Sequence, residues 1–177
     1  KGEHFEPLYV VPPVSVNTSP AVILFKKGQE GTKQFQLTTT AYSNISRADA
    51  RLVYRFGKTS ESITDTSFRL SKGLSKTFSL PVSGKNMNGL EKDKLMATVE
   101  YSNDKLNQAN YLALAQINYD HIPALRYFYP DGITILNINL QTAGKKIGYI
   151  KGAGDKVPEA LEEMGYHTRC VTRGNRT

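Results

Sequence analysis

Gly152, Ala153, Gly154 and Asp155 form a glycine-rich turn between a short β-branched run at 146–150 and a segment of helical spacing at 157–164. Such a turn can cradle an anion, because the first N–H groups of a helix have no partner inside it. Gly152 and Gly154 match two glycines of the dinucleotide-binding fingerprint, but Val157 stands at its third glycine position. Asp155 would also repel a phosphate. A tight strand-to-helix turn needs glycine for backbone reasons alone, and the partial motif favours that structural reading.

The other groups able to do chemistry are scattered. His4, His121 and His167 fit no metal-ligand spacing of the H-x-x-H or H-E-x-x-H kind. Asp120 and His121 could serve as orienter and base, but no serine or cysteine near them is marked as a nucleophile, so packing in a connector is favoured. Cys170 is the single cysteine. It excludes an internal disulfide or a multi-cysteine metal site, and no motif around it lowers a thiol pKa. Glu162 and Glu163 fall on a short helix, where a solvated face is the default. The residues therefore point to no catalytic set, no metal site and no cofactor.

Tyrosine is frequent, with 10 residues and no tryptophan. Tyr42, Tyr54, Tyr101, Tyr111 and Tyr119 recur near the ends of β-type runs, and a sheet face of such rings can stack on the apolar faces of a glycan. The plainer reading is that each ring caps the core with its hydroxyl wet.

These residues need elements to hold them. The 177-residue chain carries a formal net charge of +7, 39% hydrophobic and 22% charged residues, which suits a folded domain plus part of another. The basic residues are scattered, most of them singly, with pairs at Lys26-Lys27 and Lys145-Lys146 and with Arg169, Arg173 and Arg176 in or beside the C-terminal tail, a diffuse pattern that keeps sheet edges soluble and argues against a nucleic-acid partner. No apolar run reaches the roughly 20 residues of a transmembrane helix, and no signal-peptide pattern is present.

Pro12 and Pro13 restrict the entry segment to an edge strand or a kink between sheets. The clearest strand lies at 32–42, where Phe35, Leu37, Thr39 and Ala41 alternate with Gln34, Gln36, Thr38 and Thr40. Further runs lie at 21–25, 50–56, 62–70, 75–82, 94–101 and 111–119. The stretch 83–93 reads as a loop, and residues from Ser102 to Lys105 with their neighbours as the hairpin joining the last two strands. About seven or eight strands at this spacing indicate an antiparallel β-sandwich over 8–119.

Residues 120–144 read as a connector with one strand at 133–140, open to either unit; its Tyr127, Phe128 and Tyr129 are expected to dock against a neighbour. Residues 145–177 read as a strand, a helix and a second strand, the start of an α/β domain that needs more strands to bury its faces. In that helix Asp155 is a natural N-cap, Pro158 sits harmlessly early and Gly165 is a natural terminator. The expectation is a segment of a longer protein.

Two stretches carry a family resemblance. The run from Val10 through Pro12, Pro13 and Val14 to Asn17 and, more strongly, the run from Leu140 through Gly144, Lys145, Gly152 and Pro158 to Leu161 resemble the C-terminal half of large bacterial PIG-L/LmbE-like N-acetyl-sugar deacetylases, of the type found in Bacteroidetes. Tyr119, Asp120, His121, Ile122 and Pro123 fit the same region. The resemblance implies an immunoglobulin-like β-sandwich followed by the opening of an amidotransferase-like domain. It implies a zinc-dependent catalytic domain in the same parent chain, a periplasmic or cell-surface location and a glycan substrate. The family's His-Pro-Asp-Asp run is absent here, so no catalytic or zinc-binding residue carries over. Beyond Tyr166 the family continues with an apolar strand, whereas this chain is polar and basic, as expected of a truncated or altered end. The resemblance implies a non-catalytic segment that positions the enzyme domain or its glycan; the alternative from the tyrosines is a carbohydrate-binding module.

Overall fold

The computed structural model describes residues 10–28, 31–56, 60–87, 89–103, 106–119, 122–150, 152 and 157–171. The fold is mainly β, with one short C-terminal helix and several sheets, none closed. Its strands are β1 (Val14–Ser19), β2 (Val22–Lys26), β3 (Thr32–Ala41), β4 (Ile45–Phe56), β5 (Ser60–Leu70) and β6 (Ser75–Ser83). There follow β7 (Lys92–Asn103), β8 (Leu106–Asn110), β9 (Leu112–Tyr119), β10 (Ile122–Pro130) and β11 (Ile133–Ile138). The C-terminal unit comprises β12 (Lys146–Tyr149), α1 (Val157–Glu163) and β13 (His167–Cys170).

One sheet has the order β1-β3-β6, all antiparallel. A second runs β2-β11-β7-β4-β5, with β8 also on β7. The long β7 divides one of its edges between two partners. Residues Lys92 to Leu95 pair with β11 and Val99 to Asn103 with β8, so neither reaches the edge between them. Its opposite edge pairs with β4 from Met96 to Glu100.

Both sheets feed one buried cluster. Val14, Phe35, Leu37, Leu80 and Val82 come from the first, and Ile23, Leu52, Tyr54, Leu95, Val99 and Ile135 from the second. The period-two pattern of β3 is realised: Phe35, Leu37, Thr39 and Ala41 are buried, and the buried Thr39 hydroxyl donates to the Lys76 carbonyl at 3.3 Å. Tyr54 bridges the sheets, its ring edge-on to Phe35 at 5.4 Å and its hydroxyl donating to the Pro81 carbonyl at 2.8 Å.

The outward face of β1-β3-β6 is built from Ser, Thr, Asn and Gln, with Pro81. Cross-strand hydroxyl bonds join Thr38 to Thr77 at 2.9 Å and Thr40 to Ser75 at 2.8 Å. Register places Asn17, Ser19, Gln34, Gln36 and Ser79 on the same side, and no charged residue shares it among the described residues.

Several local expectations are corrected. The stretch 83–93 contains a turn of 3-10 helix, Gly84–Met87, and Met87 is fully buried in the core. The partner of the end of β7 is β8, which occupies residues expected to be a hairpin loop and its neighbours. β9 instead pairs with β10, a strand in what reads as connector. The aromatics of β10 do not all dock, and Tyr127 and Tyr129, which share a face, have their rings 6.0 Å apart. Tyr127 stays 51% exposed, while Phe128 and Tyr129 are half-buried. β11 is paired on both sides, parallel to β2 and antiparallel to β7.

In the C-terminal unit β12 and β13 pair in parallel, with α1 between them in sequence. Gly165 ends α1 with φ of 95°, and the Tyr166 N–H reaches the Leu161 carbonyl at 3.0 Å while the Gly165 N–H reaches Glu162 at 2.9 Å. That is the reciprocal closure of a helix by a left-handed glycine. Asp155 lies outside the described residues.

Candidate binding site

The strands that position the most chemistry are β4, β7 and β8, on the side of their sheet away from the core. Along β7 the core takes Leu95, Ala97, Val99 and Tyr101, so Lys94, Met96, Thr98 and Glu100 project to the opposite face. β4 adds Val53 opposite Thr98 and Arg55 opposite Met96. β8 adds Ala109 opposite Glu100, a side chain too small to fill the space beside the carboxylate.

The divided edge of β7 makes this surface concave. The resulting depression has a volume of about 490 Å³ and is lined by Val53, Arg55, Phe56, Asp93, Lys94, Met96, Thr98, Glu100, Ala109 and Tyr111. Tyr111 follows β8, and its side chain is 47% exposed. Next to it, Asn110 is buried and fastens the chain: its Nδ2 donates to the Val14 carbonyl and its Oδ1 accepts the Leu112 N–H at 3.1 Å. Gly132, before β11, packs against the same part of β7. A Cβ there would lie 2.7 Å from both the Leu95 carbonyl oxygen and the Met96 Sδ.

Chemically the lining is mixed. Lys94 donates, Glu100 accepts, and Thr98 and Tyr111 do both, while Asp93 alternates to the core-facing side of β7 and accepts the Lys94 N–H at 2.7 Å. Val53, Met96 and Ala109 supply the apolar part, while the Phe56 side chain belongs to the core at 1% exposed. The arrangement can hold a small polar molecule through many weak contacts.

The tyrosines singled out by sequence do not share a face. Tyr54 and Tyr101 are core residues, each 5% exposed, and burial raises the Tyr101 phenol above its ordinary pKa of 10.0. Tyr42 is half-buried, its hydroxyl 3.2 Å from Ser15 Oγ. Of the five tyrosines that could stack on a glycan, Tyr111 alone lines the depression. Tyr119 is 60% exposed on β9. Tyr129, on β10, has its pKa raised by burial first, then by the Asp131 charge and by Tyr127.

Gly152 is exposed, while Gly154, His4, Asp120 and His121 lie outside the described residues. His167 and Cys170 are exposed on β13. Among the described residues no group of three or more His, Cys, Asp or Glu side chains could hold a metal ion. Glu163 corrects the reading of a solvated pair on α1. Its Oε2 accepts from Lys33 Nζ at 2.6 Å and from the Leu24 N–H at 3.3 Å, on the edge of β2 away from β11. Glu162 accepts the Thr168 hydroxyl at 2.6 Å.

The depression was invisible to motif reading because it needs three separate pairings of β7. Alternation alone does place Lys94, Met96, Thr98 and Glu100 on one side of a strand, which was the available signal. No family model, curated protein or solved structure matches the chain.

Proposed function

We propose that this chain is an immunoglobulin-like accessory segment, which holds a neighbouring catalytic domain and its glycan substrate in a fixed relation. The strand order supports the finer fold reading. A β1-β3-β6 layer packs over β2-β11-β7-β4-β5, and β2 runs parallel to β11 as the first strand of such a sandwich crosses between layers.

The observation that carries the functional reading is the Glu163 clamp. One carboxylate from α1 joins Lys33 of β3 and the backbone of Leu24 in β2. It sets the strand–helix–strand unit against the edge of the β-rich body, as a spacer requires. The resemblance at residues 140–161 supports a PIG-L/LmbE-like parent enzyme, with zinc and catalytic groups in its own deacetylase domain and an exported location. Those points belong to the same proposal.

The purified chain is expected to leave N-acetylglucosamine substrates unhydrolysed, with or without added zinc. Acetate release catalysed by the chain itself would overturn the accessory reading. A module that binds sugar through a row of exposed tyrosines draws little support, since Tyr54 and Tyr101 lie in the core.

A further inference from the structure

We infer that the face of β12 and β13 turned away from α1 is a binding site for the phosphate group of an organic phosphate monoester, seated over Gly148 among Lys146, His167 and Arg169. The inference is separate from the accessory reading: neither the Glu163 clamp nor a neighbouring domain enters it.

The parallel register sets Lys146 beside His167 and Gly148 beside Arg169, and alternation turns all four to one face. On the other face Ile147 and Thr168 are half-buried, and the Thr168 hydroxyl donates to Glu162 at 2.6 Å, so α1 covers that side. Lys146, Gly148, His167 and Arg169 are all exposed. Three corners of this block carry long or cationic side chains and the fourth carries none. Neighbouring strands lie about 4.8 Å apart and successive residues of one face about 6.6 Å apart, so all three side chains reach a group placed over Gly148.

The glycine itself points to a ligand. Glycine inside a strand weakens it, and is kept for a bulge, a special backbone angle, or the close approach of another backbone or of a ligand. The β12–β13 register runs through Gly148 without a shift, and its φ is not positive. A Cβ there would meet one described atom within 4 Å, Val171 Cγ2 at 3.5 Å, which is ordinary contact and not backbone. Only the ligand explanation is left. The donors decide its class: lysine, arginine and histidine side chains converge from three sides, and a phosphate monoester offers three free oxygens with close to two negative charges. A carboxylate offers two oxygens and one charge. Among the described residues no carboxylate pairs with Lys146, His167 or Arg169, and Glu162 and Glu163 are engaged by Thr168 and Lys33 on the far side. Val171, 39% exposed beside Gly148, and Ile150, 76% exposed two residues beyond it, offer an apolar border to the organic part of the ligand.

The test is a titration of the full ¹⁵N-labelled chain with methyl phosphate, beside acetate, and with phosphatidylcholine vesicles with and without phosphatidic acid. Saturable shifts are expected at the amides of Gly148, Thr168, Arg169 and Val171 with methyl phosphate, and weaker ones with acetate. A response confined to vesicles with phosphatidic acid would assign the same phosphate group to a lipid headgroup. Gly148→Glu fills the notch with the chain's own carboxylate and should abolish the response. Arg169→Ala should weaken it about tenfold, the loss of one charge-assisted contact. Lys72→Ala with Lys85→Ala removes as much charge from exposed sites elsewhere as Lys146→Ala with Arg169→Ala, and should leave binding unchanged. The proposal is overturned if neither phosphate source moves these amides, if acetate binds as tightly as methyl phosphate, or if folded Gly148→Glu binds as the parent does. It is equally overturned if the Lys72 and Lys85 pair weakens binding as much as the Lys146 and Arg169 pair, a comparison that stands even where Gly148→Glu fails to fold.

Discussion

Gly132→Ala tests how the divided edge of β7 is made. The added Cβ would sit 2.7 Å from the Leu95 carbonyl oxygen, where ordinary contact begins at 3.4 Å. Met96 Sδ, also at 2.7 Å, belongs to a flexible side chain and can swing aside. The carbonyl cannot, because Leu95 is held opposite Ile133 in the β7–β11 ladder and its own side chain is fully buried. Overpacking of this kind costs about 1–3 kcal/mol. Alanine recovers about 0.4–1 kcal/mol by restricting the unfolded chain, so the net loss is about 1–2 kcal/mol. Gly31→Ala is the control, since a Cβ there meets nothing within 4 Å, and only the gain applies. Urea unfolding followed by tyrosine fluorescence should separate the two variants by about 2 kcal/mol at equal m-value. In thermal melts Gly132→Ala should fall by about 2–8 °C from the parent. Equal stability of the two variants would refute the claim that close backbone approach at Gly132 shapes this surface.

Two further outcomes follow from single side chains. Glu163→Gln removes a charge from Lys33 and weakens the cap on the Leu24 amide; hydrogen exchange at Leu24 should quicken several-fold, as for a loss of about 1 kcal/mol, while Leu52 and Val99 in the central strands stay protected. Tyr101 and Tyr129 both have pKa values raised above 10.0 by the fold, so the folded state holds their protons more tightly than the unfolded state does. Their contribution to stability is fully present below pH 10 and is lost as pH rises through the higher folded values. Phenolate absorbance should show a lagging component in the parent, and Asp131→Asn should bring part of it back towards 10.0 by removing a charge near Tyr129.

The strands were largely legible, because period-two burial is a local signal. Phe35, Leu37, Thr39 and Ala41 could be placed inward from their neighbours alone, and Gly165 could be placed as a helix terminator. β8 and β10 were not legible. Much of β8 is polar, and the Pro and aromatic content of residues 122–130 masks an alternation that only pairing with β9 stabilises. Buried tyrosines failed for a related reason. A ring near a strand end can face either way, and Tyr54 points inward because Phe35 and the Pro81 carbonyl receive it. Glu163 reads as surface because its partners, Leu24 and Lys33, lie at the other end of the chain. The candidate site depends on which strands flank β7, a non-local property that no short window of sequence contains.

The hydroxyl-and-amide wall of β1-β3-β6 has a consequence for how copies of the molecule meet. With a formal net charge of +7, two copies repel in most orientations. Among the described residues that wall carries no fixed charge, and its Thr38–Thr77 and Thr40–Ser75 bonds lie on it. Crowded copies are therefore steered to approach wall to wall. Salt, by damping repulsion everywhere else, should make their encounters less oriented.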